Sequence, residues 1–392
     1  MKNFIEKKSI VLEKRLALNL SQLCPNNEDS RQVRNMVKDE INWDYFNAFC
    51  QEEGVAGLVW RNLKEINRLN SCVLEKTIPL KYIYKNNQQI NLKLIQSFNS
   101  LLKELEVEEI PIILLQGIAL FRLVYNDLGI RSLGDIDILV REQQLRKLTN
   151  LLNNIGCKNI KNYPHLYHYD KILLDIHTDI ANIERIRSRR FSLFIPMEEL
   201  WEDSKAEKKS QPLIKLFSIE DMILALCAHL QKHSYSRLIW FVDIHEMLNK
   251  YKDDIDWQKL LARAIKFNLI KPLYFSFEFI GYHWHNSYAP LMNRHLQDIK
   301  LNYIQNKALK KILNLEKIDK WGDMLFLFEI QNWRQKFYFI METLFPRPSV
   351  MAQIFNISCP LLFFVAYPMR LCQIIILSFK ILCNWIAKAF KA

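Results

Sequence analysis

Apolar residues recur at helical spacing through the first hundred residues of the chain. In INWDYFNAFCQEEGVAGLVWRNLKEI, Asn42 reads as a helix cap, and Phe46, Phe49, Cys50, Val55, Leu58 and Val59 fall on helix faces. A long amphipathic stretch follows from about Lys81 to Glu106, with Ile90, Leu92, Leu94, Ile95, Phe98, Leu101, Leu102 and Leu105 as its apolar positions. At Ile110 the pattern changes. IPIILL is a short β-branched run that predicts a buried strand, GIALFRLVYND predicts a helix, and LGIRSLG is a loop. DIDILV alternates strictly: Ile136, Ile138 and Val140 share one face, and Asp135, Asp137 and Leu139 share the other. Period two means a strand. EQQLRKLTNLLNNIG is an amphipathic helix stopped at Gly156. KILLDIHTDI is a further strand, with Leu173, Asp175 and His177 on one face. This strand–helix–strand–helix–strand block covers about residues 110–180.

A basic connector, ERIRSRR, leads to a second helical region. SIEDMILALCAHLQKH opens with Ser218 and Asp221 as a capping box. DIDWQKLLARAIKF begins another helix. Its Ile255, Trp257 and Ala262 echo Ile41, Trp43 and Ala48, which reads as recurring capped helices rather than a repeat array. The predicted class is α+β: a small mixed β-sheet flanked by helices on both sequence sides. The expected divisions are an N-terminal helical region at 1–108, a strand-bearing core at 109–200, a C-terminal helical region at 201–342 and a tail at 343–392.

Composition sharpens this. Half of the 392 residues are hydrophobic and only 8 are glycine, so the chain can bury a large core and is not a disordered one. The net charge of +12 favours anionic partners: nucleotides, nucleic acid or an acidic membrane surface. There is neither the dense basic run nor the aromatic signature of a dedicated nucleic-acid module. None of the eight cysteines forms a CxxC pair, and MKNFIEKKSIVLEKR lacks a secretory apolar core. The expected setting is a reducing cytoplasm. The tail from Thr343 holds Arg347, Arg370, Lys380, Lys388 and Lys391 and no acid. Arg370, Lys380, Pro360 and Pro368 interrupt its apolar residues, so a spanning helix is not expected. Two readings stay open: a basic, Trp-containing helix lying peripherally on the inner membrane surface, or one packed on the body or on another chain.

The candidate chemistry lies in Asp135 and Asp137. Spacing i, i+2 on a strand puts both carboxylates on one face, ~6.5–7 Å apart. Two such acids repel unless a cation lies between them. Hard oxygen ligands suit Mg²⁺ or Mn²⁺, and two such ions clamp the attacking and leaving oxygens of a phosphoryl displacement. Asp175, on the next predicted strand, is the candidate third carboxylate.

LLQGIALFRLVYNDLGIRSLGDIDILV resembles the core motif of a family of uncharacterised bacterial nucleotidyltransferases within the polymerase-β-like superfamily. The matches are Leu115, Gly117, Leu120, Tyr125, Arg131, Gly134, Asp135, Asp137, Leu139 and Val140. LLDIHTDI resembles the family's second acidic strand, giving Asp175 and His177. HLQKHSYSRLIWFVDIHEML resembles its His-rich helix, giving His229, His233, Arg237 and Asp243. INWDYF and LFPRPSVM also look familial, so the resemblance covers most of the chain. It implies transfer of a nucleoside monophosphate from an NTP to an acceptor, with release of pyrophosphate. Asp135 and Asp137 would bind both metals, and Asp175 would ligate the catalytic one and help activate the acceptor. Gly117 would let backbone N–H groups approach the phosphates, and Arg131 would neutralise triphosphate charge. Gln116, Gly134 and His177 would complete the nucleotide site, with His229, His233, Arg237 and Asp243 in support. The implied cofactor is Mg²⁺ or Mn²⁺. The implied partners are an NTP and an acceptor that is a small molecule, peptide or lipid rather than nucleic acid.

Three departures point to an alternative, a degenerate nucleotide-binding or scaffold protein of the same fold. The family's Lys is Gln116 here, which leaves its task to Arg131 or Arg122. The superfamily's Ser is Ile118, and the gap from Gly117 to Asp135 is longer than usual. His229 and His233 share a helix face, but HLQKH lacks the Glu of a metalloprotease helix. They read as a hydrogen-bonded structural pair facing the active-site domain.

Overall fold

The structure is a computed structural model that describes residues 11–66, 71–284, 296, 299–318, 321–357 and 359–389. Its centre is a seven-stranded mixed sheet in the order β3-β4-β5-β2-β1-β7-β6. The strands are β1 (Ile112–Leu114), β2 (Ile136–Leu139), β3 (Lys158–Ile160), β4 (Tyr163–Tyr169), β5 (Ile172–His177), β6 (Lys205–Lys208) and β7 (Gln211–Leu216). β2 lies in the middle, antiparallel to β1 and parallel to β5, while β1 runs parallel to β7. Hairpins β3–β4 and β6–β7 form the two edges. The class is α+β, with helices before and after the sheet.

The sheet runs past residue 200, the boundary expected for the core. KAEKKSQPLIKL carries charge and a proline where a buried strand would carry β-branched residues. The charge of β6 is the mark of a protected edge, and together with Pro212 near the start of the inner strand β7 it hides the hairpin from a search for apolar alternation.

On the N-terminal side, the Asn42 side chain accepts from the Tyr45 N–H at 3.0 Å and starts the helix Trp43–Glu52. At Gly54 the backbone turns left-handed, with φ +76°, and a second helix, Ala56–Glu65, follows. The amphipathic stretch becomes one 30-residue helix, Ile78–Val107. Its buried Asn91 donates to the carbonyls of Leu128 and Arg131 at 2.8 and 2.7 Å and accepts from Leu133 N–H at 3.1 Å. One amide thus holds the loop that delivers the chain into β2.

On the C-terminal side, Ser218 starts the helix Ile219–Lys232 by accepting from Asp221 N–H at 3.2 Å. The Asp221 carboxylate does not close the expected box: it accepts from the Ser218 hydroxyl and from Arg263 instead. Asp256 caps Trp257–Lys266 as Asn42 caps its counterpart, which accounts for the echo between the two segments. One continuous apolar core joins the expected regions, running from Phe46 and Phe98 through Ile113 and Ile138 to Ile223 and Phe279.

The tail forms the helices Pro348–Phe355 and Phe363–Ala389. Tyr367 donates to the Pro346 carbonyl at 2.7 Å, and Met351, Ile357 and Ala366 make a small separate core. Leu361 and Phe364 stay 72% and 80% exposed, as does Trp333, at 71%, on the preceding helix Trp333–Leu344. Among the described residues, no helix is long and apolar enough to cross a membrane.

Candidate active site

The site forms where β2 and β5 lie side by side. Their parallel register pairs Asp137 with Asp175 and Leu139 with His177. Registered parallel neighbours point the same way, so the two carboxylates stand together and His177 follows on the same face. His177 Nε2 lies 2.9 Å from Asp137 Oδ1 and 3.4 Å from Asp175 Oδ2. One ligand atom from each of these three residues lies within 4.8 Å of the other two. β2 is central, so Asp137 is buried, whereas β5 leaves Asp175 and His177 half-buried. Asp135 departs from expectation in one respect. It precedes β2 rather than lying in it, and it occupies the exposed rim outside this closest group. His177 takes the third place.

Gln116 enters from the turn between β1 and the helix Gln116–Leu123. Leu115 N–H donates to the Asp137 carbonyl at 3.1 Å, which fixes this turn beside β2. Gln116 has φ +46°, a left-handed conformation that costs a non-glycine residue about 1–2 kcal/mol. In return, its side-chain amide donates to Asp137 Oδ1 at 3.2 Å. No side chain caps this helix, so its first N–H groups have no side-chain acceptor.

The acids hold unbalanced charge. Burial, and then Asp137 and Asp175, push the Asp135 carboxyl up to about 6, against Arg131 and His177. Burial also raises Asp175, with Asp137 adding to it and His177 and Lys232 opposing. Burial alone would lower the His177 imidazole, but its hydrogen bond to Asp137 and the charges of Asp137 and Asp175 outweigh it and hold the ring above its ordinary value. His177 between two carboxylates stands where a cation is favoured. A cleft opens beside it. Leu115, Gln116, His177 and Ile180 form one wall, and Met222, Ala225, Leu226, His229 and Lys232 of the helix Ile219–Lys232 form the other.

The sequence model of the family described as "Uncharacterised nucleotidyltransferase" matches residues 39–284, more than half of the chain. The chain belongs to this uncharacterised nucleotidyltransferase family. No curated protein and no solved structure matches it. The matched stretch takes in the whole sheet and part of each helical flank, and stops before the tail. Membership supports nucleotidyl transfer as the type of reaction, and the Asp137, Asp175 and His177 group can hold a metal ion.

The remaining residues of the nucleotidyltransferase motif lie near the acids but are otherwise engaged. Arg131 is buried and grips Asp243 with two hydrogen bonds, Nε to Oδ1 at 2.9 Å and Nη2 to Oδ2 at 2.8 Å. Tyr125 donates to the same carboxylate at 2.6 Å. The charge of this arginine is matched within the fold. Gly117 packs on it, since a Cβ there would come within 2.6 Å of both Arg131 Nη1 and Leu133 Cδ2. Its missing side chain makes room for Arg131 rather than for a ligand. A Cβ at Gly134 would meet nothing within 4 Å, so packing does not require that glycine. Arg122 pairs with Glu207 at 3.3 Å, away from the cleft.

His229 and His233 do not hydrogen-bond to each other. Their rings lie 4.5 Å apart and both pack on Trp240 at 5.1 Å, with Arg237 over the far side of that indole. Of the four supporting residues, only His229 lines the cleft. Two residues that shape the site escaped the sequence reading. Asn91 is one polar residue inside an amphipathic helix. Lys232 stands in plain view between the histidines of HLQKH, three residues after His229 and therefore on its face.

Proposed function

We propose that this nucleotidyltransferase moves a nucleoside monophosphate from an NTP to an acceptor, using divalent cations held by Asp135, Asp137, Asp175 and His177. The observation that carries the reading is the parallel register of Asp137 with Asp175, which gathers two carboxylates and an imidazole at the mouth of a cleft. The donor chemistry fits a metal. The carboxyls of Asp135 and Asp175 are raised above their ordinary range by burial and mutual repulsion, and this is the charge a dication relieves. A set of oxygens with one imidazole suits Mn²⁺ as well as the more oxygen-demanding Mg²⁺. When bound, the metal supplies charge stabilisation for the phosphoryl oxygens.

The chain's own residues do the rest. Asp137, fixed by Gln116 and His177, is the rigid ligand. Asp175 is more open and binds a proton more readily than an ordinary carboxylate, so it is the group to accept the proton of the attacking hydroxyl. The uncapped N–H groups at the start of Gln116–Leu123 favour an anion. The acceptor is expected among small molecules, peptides and lipids. The test is pyrophosphate release from each NTP with Mg²⁺ or Mn²⁺ across an acceptor screen. Turnover that survives Asp135→Asn together with Asp137→Asn removes this site from the chemistry. Saturable NTP binding without any product favours the degenerate, binding-only alternative.

A second reading concerns the tail. We propose that it lies on an anionic membrane surface. Exposed Leu361, Phe364 and Ile375 accompany a stretch that has five basic residues and no acid. Flotation with phosphatidylserine vesicles, lost when Phe364 and Ile375 become Ser, supports this. Equal flotation of both chains contradicts it.

A further inference from the structure

Among the described residues, three arginines of the strand-bearing core have acidic partners, and Lys232 across the cleft does not. Arg131 has Asp243, Arg122 has Glu207 and Arg189 has Asp323 at 2.8 Å. Lys232 lines the cleft and makes no hydrogen bond or ion pair among the described residues. Its side chain is partly buried at the cleft wall: burial, joined by Arg189, holds the ammonium below its ordinary value, although Asp137, Asp175 and Asp179 pull the other way. A partly buried ammonium without a protein partner is open to an anionic one. One turn earlier on the same wall, His229 presents a second unmet group, since its Nδ1 is buried and has no hydrogen-bond partner. The opposite wall carries Gln116 and His177, the edge of the acid cluster.

We infer that Lys232 and His229 form the seat of a terminal phosphate of the NTP, on the pyrophosphate side of the bond that breaks. The inference rests on the nucleotidyl-transfer reading and deepens it by assigning the cation that Gln116 does not supply. The cluster of acids repels a polyphosphate. A lysine on the facing wall offsets that repulsion and fixes which end of the triphosphate lies in the cleft. His229, neutral because burial and then Lys232 lower it well below its ordinary value, donates or accepts one hydrogen bond there without adding charge.

The experiment measures binding of ATP, inorganic pyrophosphate and AMP by isothermal titration in Mg²⁺, for the full chain and for Lys232→Met, Lys232→Arg and His229→Phe. Loss of one charged hydrogen-bond donor lowers affinity by about 10–100-fold. Lys232→Met is expected to weaken ATP and pyrophosphate by that factor and to leave AMP within about threefold, with Lys232→Arg recovering most of the loss. His229→Phe is expected to show a smaller loss with the same pattern. Unchanged pyrophosphate affinity in Lys232→Met overturns the proposal, and so does an equal loss for all three ligands, which would mean that the lysine acts only by balancing the acids. The two readings separate cleanly. A chain that binds pyrophosphate through Lys232 but turns over no NTP sinks the transfer reading alone. A chain that turns over NTP with Lys232→Met binding normally sinks the phosphate seat alone.

Discussion

Two groups of charged residues in the strand-bearing core are handled in opposite ways. Arg131, Asp243 and Tyr125 form a closed set: every charge has a counter-charge within hydrogen-bond distance and the set is sealed from solvent. Asp135, Asp137, Asp175 and His177 form an open set, in which carboxylates outnumber the cations facing them and two of the carboxyls are driven upward. The closed set ties the strand-bearing core to the helix Leu238–Tyr251. The open set ties nothing together that an apolar core would not hold better. Residues of the same types hold the fold together where their charges cancel and are candidates for chemistry where they do not.

The largest expected effect breaks the closed set. Arg131→Met leaves Asp243 buried and unmatched and is expected to cost about 3–5 kcal/mol of unfolding free energy, read by urea denaturation. Arg131→Met with Asp243→Leu is expected to recover much of that. Next comes the open set. Asp137→Asn is expected to lower turnover by about 10³-fold, or roughly 4 kcal/mol of barrier, with no loss of melting temperature. A parallel loss of stability would erase the contrast between the two sets. Gly117→Ala drives a methyl group into a guanidinium that Asp243 locks in place, at an expected cost of about 1–3 kcal/mol.

A pH series sharpens the contrast further. Asp135 rises from 3.8 to about 6 on folding, so the native state binds more protons than the unfolded one between those values. Stability from this group is fully present below the lower value and is lost as pH rises through the upper one. Asp135→Asn is therefore expected to raise the melting temperature of the metal-free chain above pH 6 and to leave it unchanged near pH 4. The gain is about 1 kcal/mol at most, because solvent screens this exposed carboxylate. The smallest expected effect is that of Gly134→Ala, within about 0.5 kcal/mol, since the added methyl group meets open space.

The sequence made the local half of this legible. Alternation in KILLDIH placed Leu173, Asp175 and His177 on one face of β5, and in the structure the three share its less buried face. The capped start at Asn42 was readable because capping is a short-range contact. The long-range half was hidden. Nothing near Arg131 in sequence announces a partner 112 residues away, so a matched arginine and a free one look alike in a motif. Lys232 suffered the reverse fate, passed over beside two histidines because its lack of a partner is a property of the fold. The β6–β7 hairpin was hidden because the edge strand β6 is charged and β7 carries Pro212 near its start, both of which discourage a strand assignment.

Mn²⁺ binding to the full chain, followed by electron paramagnetic resonance beside thermal melts, tests the central claim most directly. Saturable Mn²⁺ binding that raises the melting temperature, with Asp137→Asn weakening it at least about tenfold while the metal-free melt stays level or rises, is the predicted result. Mn²⁺ affinity untouched by Asp137→Asn, or a metal-free melt that falls as far as in Arg131→Met, would show that the acids are a structural set like that of Arg131.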